Sequence, residues 1–374
     1  MSAGAVFEVD TMLADLEELV VCESYSADLD AVARSADVVA AQGLRHLGGR
    51  PERIVIDGVT HLRWMFGTPR VLLLGHHDTV WPTGSLATHP WSVDGGVARG
   101  PGVFDMKAGL VQMFHALAAL PSLDGVCVVV TGDEEVGSTT SRALVEEAAR
   151  ACAATFVLEA TADGGALKTG RKGTSLYELV VHGRAAHSGL EPEKGVNAAV
   201  EAAHLVLALD RVAAEVNDGA PADWRTTVVP TVVQAGSATN TVPARATVTV
   251  DVRVPTLKAQ DHVDRIIRGL ATTVPGATVD VVGGPNRPPL EEASSRALFD
   301  LAGVVAAAEG LAPPQSAAVG GASDGNFTAG VGCPTLDGLG AVGGGAHADH
   351  EHVLVAEMVP RSRLLAALTQ AVTR

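Results

Sequence analysis

Residues 71–80 read VLLLGHHDTV and residues 126–135 read VCVVVTGDEE. Each is a short aliphatic run that stops at a polar cluster, His76-His77-Asp78-Thr79 in the first and Thr131-Gly132-Asp133-Glu134-Glu135 in the second. Four or five consecutive apolar residues fall short of a buried helix and suit a strand covered on both faces. A third run, Thr155 to Leu158, ends on Glu159, and Ile54 to Ile56 is a fourth, shorter one. Helical stretches lie between them. Leu110, Phe114, Leu117 and Leu120 recur at helical spacing within Met106 to Leu120, and Ser138 to Ala153 is helical in character with Ser138 or Thr139 as caps. Strands alternating with helices predict an α/β fold with a mixed or parallel sheet clothed by helices.

From about Ser175 the pattern changes. Leu176 to Val181 reads as a strand, Val196 to Val216 as a long Ala- and Leu-rich helix, and Thr227 to Gln234 as a second strand. In Ala246 to Val254 an apolar residue stands at every even position, the mark of a half-buried strand with one wet face. A helix over Leu257 to Leu270 and a strand over Ala277 to Val282 complete strand-helix-strand-strand-helix-strand, the ferredoxin-like split motif. After Gly283 the chain returns to helices and short strands, ending in a helix from Val355 to Ala371. The simplest organisation is one α/β domain in two parts, residues 1–174 and 284–374, interrupted by an α+β module over 175–283; three separate domains in tandem are the alternative.

Composition bounds the function. Twenty-seven basic against 43 acidic side chains leave a net charge of −16, which argues against a nucleic-acid partner, since phosphates call for a basic face. With 47% apolar residues the chain can build a core. No run approaches the roughly 20 apolar residues of a membrane helix. The start, MSAGAVFEVD, lacks the basic and apolar regions of a secretory signal. Cys22, Cys127, Cys152 and Cys333 are widely spaced with no CxxC pair, so a cytoplasmic location is expected.

Ligands of open α/β sheets gather beyond the carboxyl ends of strands. Here those ends offer His76, Asp78, Glu134, Glu135 and Glu159, and Asp105 precedes the helix that begins near Met106. Imidazoles and carboxylates without thiolates suit zinc or a related divalent ion. Residues 76 and 78 of a strand point the same way, so Asp78 can hold the ring of His76 while His77 faces the other side. A late segment, GGGAHADHEH at 343–352, adds His347, His350 and His352. These three could form a local site of their own, although their spacings fit no single helix face. Gly100-Pro101-Gly102 does not fit a dinucleotide fingerprint, no Gly-x-Ser-x-Gly elbow is present, and Cys127 and Cys152 sit in apolar contexts.

Taken together and in order, HHDTVWPTG (76–84), GPGVFDMKAG (100–109), TGDEEVGS (131–138), FVLEAT (156–161), GRAAHSGLEPEKGVNA (183–198) and AHADHEH (346–352) resemble the di-zinc metallopeptidase family of glutamate carboxypeptidases, aminoacylases and acyl-amino-acid deacylases. The resemblance runs from about Leu72 to the end of the chain and is strongest to the glutamate carboxypeptidase branch. It implies a zinc-aminopeptidase-like catalytic domain with an inserted ferredoxin-like lid and dimerisation domain. It also implies two zinc ions per chain, for which cobalt or manganese could substitute. His76, Asp105 and Glu159 would hold one ion and Asp105, Glu135 and His347 the other. Asp78 would orient His76, and Glu134 would be the general base. From the lid, His187 would reach the partner subunit's active site in a homodimer and donate to the oxyanion. Asn240 and Arg253 resemble substrate-binding positions, the fork of Arg253 being suited to a carboxylate, though an ion pair with Asp251 would serve it equally. Gly321 and Ser323 lie in GGASD (320–324), similar to the family's glycine-rich substrate loop, with Ser323 where threonine is usual. The implied substrate is an N-acyl amino acid or small peptide, cleaved to release a C-terminal acidic amino acid. A deacylase, aminoacylase or desuccinylase is the alternative within the same chemistry.

Overall fold

A computed structural model of the chain describes residues 7–217 and 224–374. Residues 1–6, part of the stretch read for a secretory signal, lie outside it. Two compact units emerge. One comprises the described residues up to Gly170 with Glu292–Val319 and Ser323–Arg374; the other comprises Arg171–Glu291 with Gly320–Ala322.

The first unit is built on a six-stranded sheet in the order Glu52–Ile56, Val59–Phe66, Val126–Thr131, Val71–His76, Ala154–Val157 and Thr335–Leu336. The first two strands form an antiparallel hairpin, and the second runs antiparallel to Val126–Thr131. The four at the other side are mutually parallel. Every residue of Val71–His76 and Val126–Thr131 is buried, and side-chain alternation shares them between two cores. Val71, Leu73, Val126, Val128 and Val130 face one layer with the helices Val9–Val21, Leu29–Leu47 and Ala108–Ala118, while Leu72, Leu74, Cys127 and Val129 face Leu144, Val145 and Ala148 of the helix Arg142–Arg150. The continuous apolar runs are therefore central strands covered on both faces. The two amino-terminal helices and the strand Val59–Phe66 had no counterpart in the sequence reading.

One helix start is corrected. The sequence suggests Ser138 or Thr139 as the cap, but the helix begins at Arg142. Asp133 causes the delay: its carboxylate accepts bonds from Thr140 N at 2.7 Å, Thr140 Oγ1 at 2.8 Å and Ser141 Oγ at 2.5 Å. Those bonds hold the segment in a turn that competes with helix.

A small second sheet in this unit joins distant segments. Gly343–Gly344, His352–Leu354, Val97–Arg99 and Ser92–Asp94 lie side by side, with His352 opposite Arg99 and Leu354 opposite Val97.

The inserted unit is a four-stranded antiparallel sheet in the order Thr227–Ala235, Arg245–Val254, Gly173–His182 and Thr278–Arg287, with helices Ala198–Glu215 and Leu257–Arg268. This is the expected strand-helix-strand-strand-helix-strand order. Along Arg245–Val254 the even positions are buried and the odd ones are not. A one-residue slip would expose four buried valines, at roughly 1.5–3 kcal/mol each, so the register is well determined. Asn197 and Thr256 cap the two helices through Ala199 N and Ala259 N. Where the unit leaves and returns, Arg171 and Leu290 exchange backbone hydrogen bonds of 2.9 and 3.0 Å. Among the described residues no helix is long and apolar enough to cross a membrane.

Candidate active site

Each strand end of the first unit delivers a polar side chain to one place. His76 closes the central strand and is 1% exposed. Its Nδ1 donates to the Asp78 carbonyl at 3.0 Å, which leaves the lone pair of the neutral ring on Nε2. That Nε2 stands 3.4 Å from Asp105 Oδ1 and 3.5 Å from Glu159 Oε1. The other oxygen of Asp105, Oδ2, lies 3.3 Å from His347 Nε2, which is in turn 3.2 Å from Glu135 Oε2. Two triads of donors thus meet through one carboxylate, His76–Asp105–Glu159 and Asp105–Glu135–His347.

The supports of these side chains are equally local. Asp105 sits in the turn Val103–Lys107, entered through Gly102 at φ +72°; a Cβ there would lie 2.4 Å from Thr79 Cγ2. Glu159 is brought close because Gly109 lets the following helix ride against the Leu158 carbonyl, which a Cβ would approach to 2.2 Å. Glu134 and Glu135 occupy a single helical turn after Val126–Thr131. Asp324 holds both ends of that connection, accepting from Thr131 Oγ1 at 3.1 Å and from the Ser138 hydroxyl. The buried Asp78 accepts from Ser26 Oγ at 2.7 Å and from the backbone N–H groups of Glu134 and Glu135. Its carboxylate lies 3.4 Å from His76 Nδ1. His77 turns away, its Nε2 donating to the Thr60 carbonyl at 3.0 Å, and burial lowers its pKa to about 4, so it is neutral.

The donors fit a pair of cations. Ligand atoms bonded to zinc at about 2.0–2.1 Å in a tetrahedron are separated by about 3.4 Å, and the four imidazole–carboxylate separations are 3.2 to 3.5 Å. Among the described residues, His76 Nε2 and Glu135 Oε1 are buried polar atoms with no hydrogen-bond partner, a costly state unless a cation is their partner. The charge balance agrees. Burial disfavours a charged His76, but the carboxylates of Asp105, Asp78 and Glu159 outweigh it and push its pKa well up. Asp105 and Glu135 raise that of His347 to about 10. A third His–carboxylate group in the unit, Asp15 with His46 and His115, is of another kind. Both ring Nε2 atoms lie 2.7 Å from the same oxygen, Asp15 Oδ2, and Arg45 lies 2.6 Å from the other. Those are hydrogen-bond distances.

The remaining residues singled out in the sequence behave differently. His350 and His352 do not join His347: His352 Nδ1 donates to the His350 carbonyl, so no local three-His site forms. Ser323, expected at the substrate, is instead fully buried. Its Oγ donates to Asp337 at 2.6 Å and accepts from Gly325 N, which spends the hydroxyl on shaping its own loop. In the inserted unit, the carbonyl of Gly321 accepts from Arg171 Nη1 at 3.2 Å. His187 and Asn240 are exposed neighbours on paired segments, Ser188 N donating to the Asn240 carbonyl. His187 Nδ1 accepts from the backbone of Gly189 and Leu190 at 3.2 Å each, which places the ring proton on Nε2. Arg253 is half-buried and forms a two-pronged ion pair with Asp251, at 2.9 and 3.0 Å. Three residues with a clear part in the site geometry went unremarked in the sequence: Asp324, the buried Glu351, and Ser26.

Comparison with known proteins gives the family. Residues 72–371 match the model of peptidase family M20/M25/M40, and the chain belongs to that family. It is a hydrolase of peptide or amide bonds. It is 30% identical to carboxypeptidase G2 of Pseudomonas sp. (strain RS-16), over 97% of this chain and 89% of that protein. It is also 30% identical to a succinyl-diaminopimelate desuccinylase of Granulibacter bethesdensis, over 80% of this chain and 82% of the other. Aminopeptidase PepT of Bacillus cereus shares the fold, with a TM-score of 0.74 at 21% identity, covering 98% of this chain and 99% of that one. A Bacillus subtilis structure described as a dinuclear metal binding peptidase matches with a TM-score of 0.66 at 16% identity, covering 97% and 98%.

Proposed function

We propose that this protein is a zinc-dependent, cytoplasmic, homodimeric hydrolase that cleaves the amide of an N-acyl amino acid or small peptide and releases a C-terminal acidic amino acid. The observation that carries the reading is Asp105, whose two oxygens each face a separate donor triad. His76 and Glu159 would complete one zinc site, Glu135 and His347 the other. Two zinc ions there would acidify water and polarise the scissile carbonyl. Glu134, held in the same turn as Glu135, takes the proton of the attacking water and returns it to the leaving amine. Asp78 fixes both the His76 ring and that turn. His187 offers an Nε2–H suited to a developing oxyanion in the partner subunit. Arg253 clamps the substrate carboxylate by exchanging Asp251 for it, while Asn240, beyond the opposite end of the strand Arg245–Val254, and Gly321 bind other parts of the substrate. The exposed edge strand Thr227–Ala235, carrying Val229, Val232 and Val233 at 46–53% exposure, favours a second copy as partner.

The relation to carboxypeptidase G2 supports release of a C-terminal residue. The relation to succinyl-diaminopimelate desuccinylases supports a second reading, in which the acyl group is what is recognised. A panel of zinc-loaded assays separates them, pairing several acyl groups with glutamate, aspartate and neutral amino acids and scoring release of free amine. Turnover that follows the C-terminal acid supports the first reading. Turnover that follows the acyl group replaces it with the second, and no turnover on any N-acyl amino acid or dipeptide overturns both.

A further inference from the structure

Glu351 is 3% exposed, yet no cation touches its carboxylate among the described contacts. Four N–H donors do. Oε1 accepts from Phe104 N at 2.9 Å and Asp105 N at 3.1 Å; Oε2 accepts from Gly102 N at 3.1 Å and from the Trp81 indole at 2.6 Å. Three backbone N–H groups turned inward within four residues form a concave anion site, here filled by the protein's own carboxylate. The filled site lies directly behind the peptide that carries Asp105, the residue shared by both donor triads. Glu351 also stands four positions after His347, in the loop between Gly343–Gly344 and His352–Leu354. The second sheet lays that loop beside Val97–Arg99, the strand that leads into Gly102. His347 itself has a left-handed backbone, φ +62°, which a non-glycine residue keeps only when its surroundings impose it.

We propose that Glu351 is a positioning residue for the metal centre, locking the Asp105 turn and the His347 loop to one another so that the shared carboxylate meets both triads. The inference rests on the reading of Asp105, His76, Glu159, Glu135 and His347 as zinc ligands. Only an acceptor-only group satisfies the site: an amide would turn an NH2 toward two of the four donors. Because Asp105 serves both ions, loss of Glu351 weakens both, whereas loss of a one-sided ligand such as Glu135 weakens one.

The test is zinc titration of the full chain against a competing chelator, with thermal melting of the zinc-free protein alongside. Wild-type protein binding two zinc ions supports the ligand reading; one or none overturns that reading whatever Glu351 does. Given two, Glu351→Gln is expected to raise both dissociation constants about 10–100-fold, as loss of a residue that orients metal ligands does. Unchanged zinc affinity with a lowered zinc-free melting point would make Glu351 merely structural and overturn the proposal. If Glu351→Gln does not fold, Trp81→Phe removes one of the four donors and leaves the carboxylate in place. It is expected to weaken both ions by several-fold, and an unchanged pair of constants would overturn the proposal equally.

Discussion

Asp78 Oδ1 accepts a hydrogen bond from the backbone N–H of Glu134 at 3.2 Å. One carboxylate, fully buried, thereby ties the end of the His76 strand to the turn that presents Glu134 and Glu135. The two glutamates are adjacent in the chain but are not equivalent. Glu135 is drawn to His347 at 3.2 Å, and their divergence underlies the first prediction.

Glu134→Gln is expected to lower kcat by about 100-fold or more, within or beyond the range of a lost general base, with zinc content unchanged. Glu135→Gln is expected to lose one zinc equivalent. Elemental analysis beside steady-state kinetics checks both, and an active Glu134→Gln variant would remove Glu134 from the proton path.

A second prediction concerns Arg253. Its pairing with Asp251 shows that the guanidinium is already set for a two-oxygen partner. Arg253→Ala should raise KM about tenfold or more for substrates with a free α-carboxylate, the scale of a lost charge-assisted hydrogen bond, and leave amidated analogues little changed. Equal effects on the two classes would leave the residue a role only in the sheet, with Asp251.

The third tests whether His187 acts across the dimer. Inactive Glu134→Ala and His187→Ala chains, mixed under conditions that exchange subunits, should recover about a quarter of wild-type activity. Half of the dimers are then mixed, and each has one site with both residues intact. With exchange verified separately, an absence of recovery would place His187 in its own chain's site.

Stability at low pH should depend on Asp15. It is 4% exposed and faces His46 and Arg45 from one helix and His115 from another; Arg45 also meets Glu18. Burial penalises its charge, but His115, His46 and Arg45 outweigh the penalty and hold its carboxyl well below the ordinary range. A carboxyl depressed in the folded state stabilises fully above its unfolded value, near pH 4, and less as pH falls toward the folded value. Asp15→Asn should therefore cost about 3 kcal/mol at neutral pH, a difference from wild type that shrinks below roughly pH 4. Melting curves across that interval check it, and a gap independent of pH would show that packing and not charge is lost.

Hydrophobic pattern made most of the architecture readable. Val71–Leu74 and Val126–Val130 are runs that only a central strand explains, and the strict alternation of Ala246 to Val254 left no choice of face. The polar residues at strand ends could be picked out because α/β topology concentrates ligands there. What escaped depended on contacts that no local pattern encodes. Glu351 lies between two histidines that drew attention to themselves, and its partners are backbone groups at Gly102, Phe104 and Asp105. Asp15, His46 and His115 come from three helices. Ser323 looks like a substrate residue from its glycine-rich setting, and the bond of its buried hydroxyl to Asp337 is a contact that no local pattern encodes.

The hydrogen bond from Asp105 N to Glu351 spans 246 positions of sequence, and the whole inserted unit lies between the two. The four strands and two helices of that unit are contiguous in sequence, and Arg171 and Leu290 pair across its base before Gly321 and Ala322 are added to it. The first half of the α/β unit must wait for its closing segment. A nascent chain that has not yet delivered His347 and Glu351 holds His76, Asp105, Glu135 and Glu159 as an unfinished acidic cluster without its second imidazole. On the proposed reading, a nascent chain short of His347 and Glu351 would lack hydrolytic competence, which ties activity to a segment made after the inserted unit.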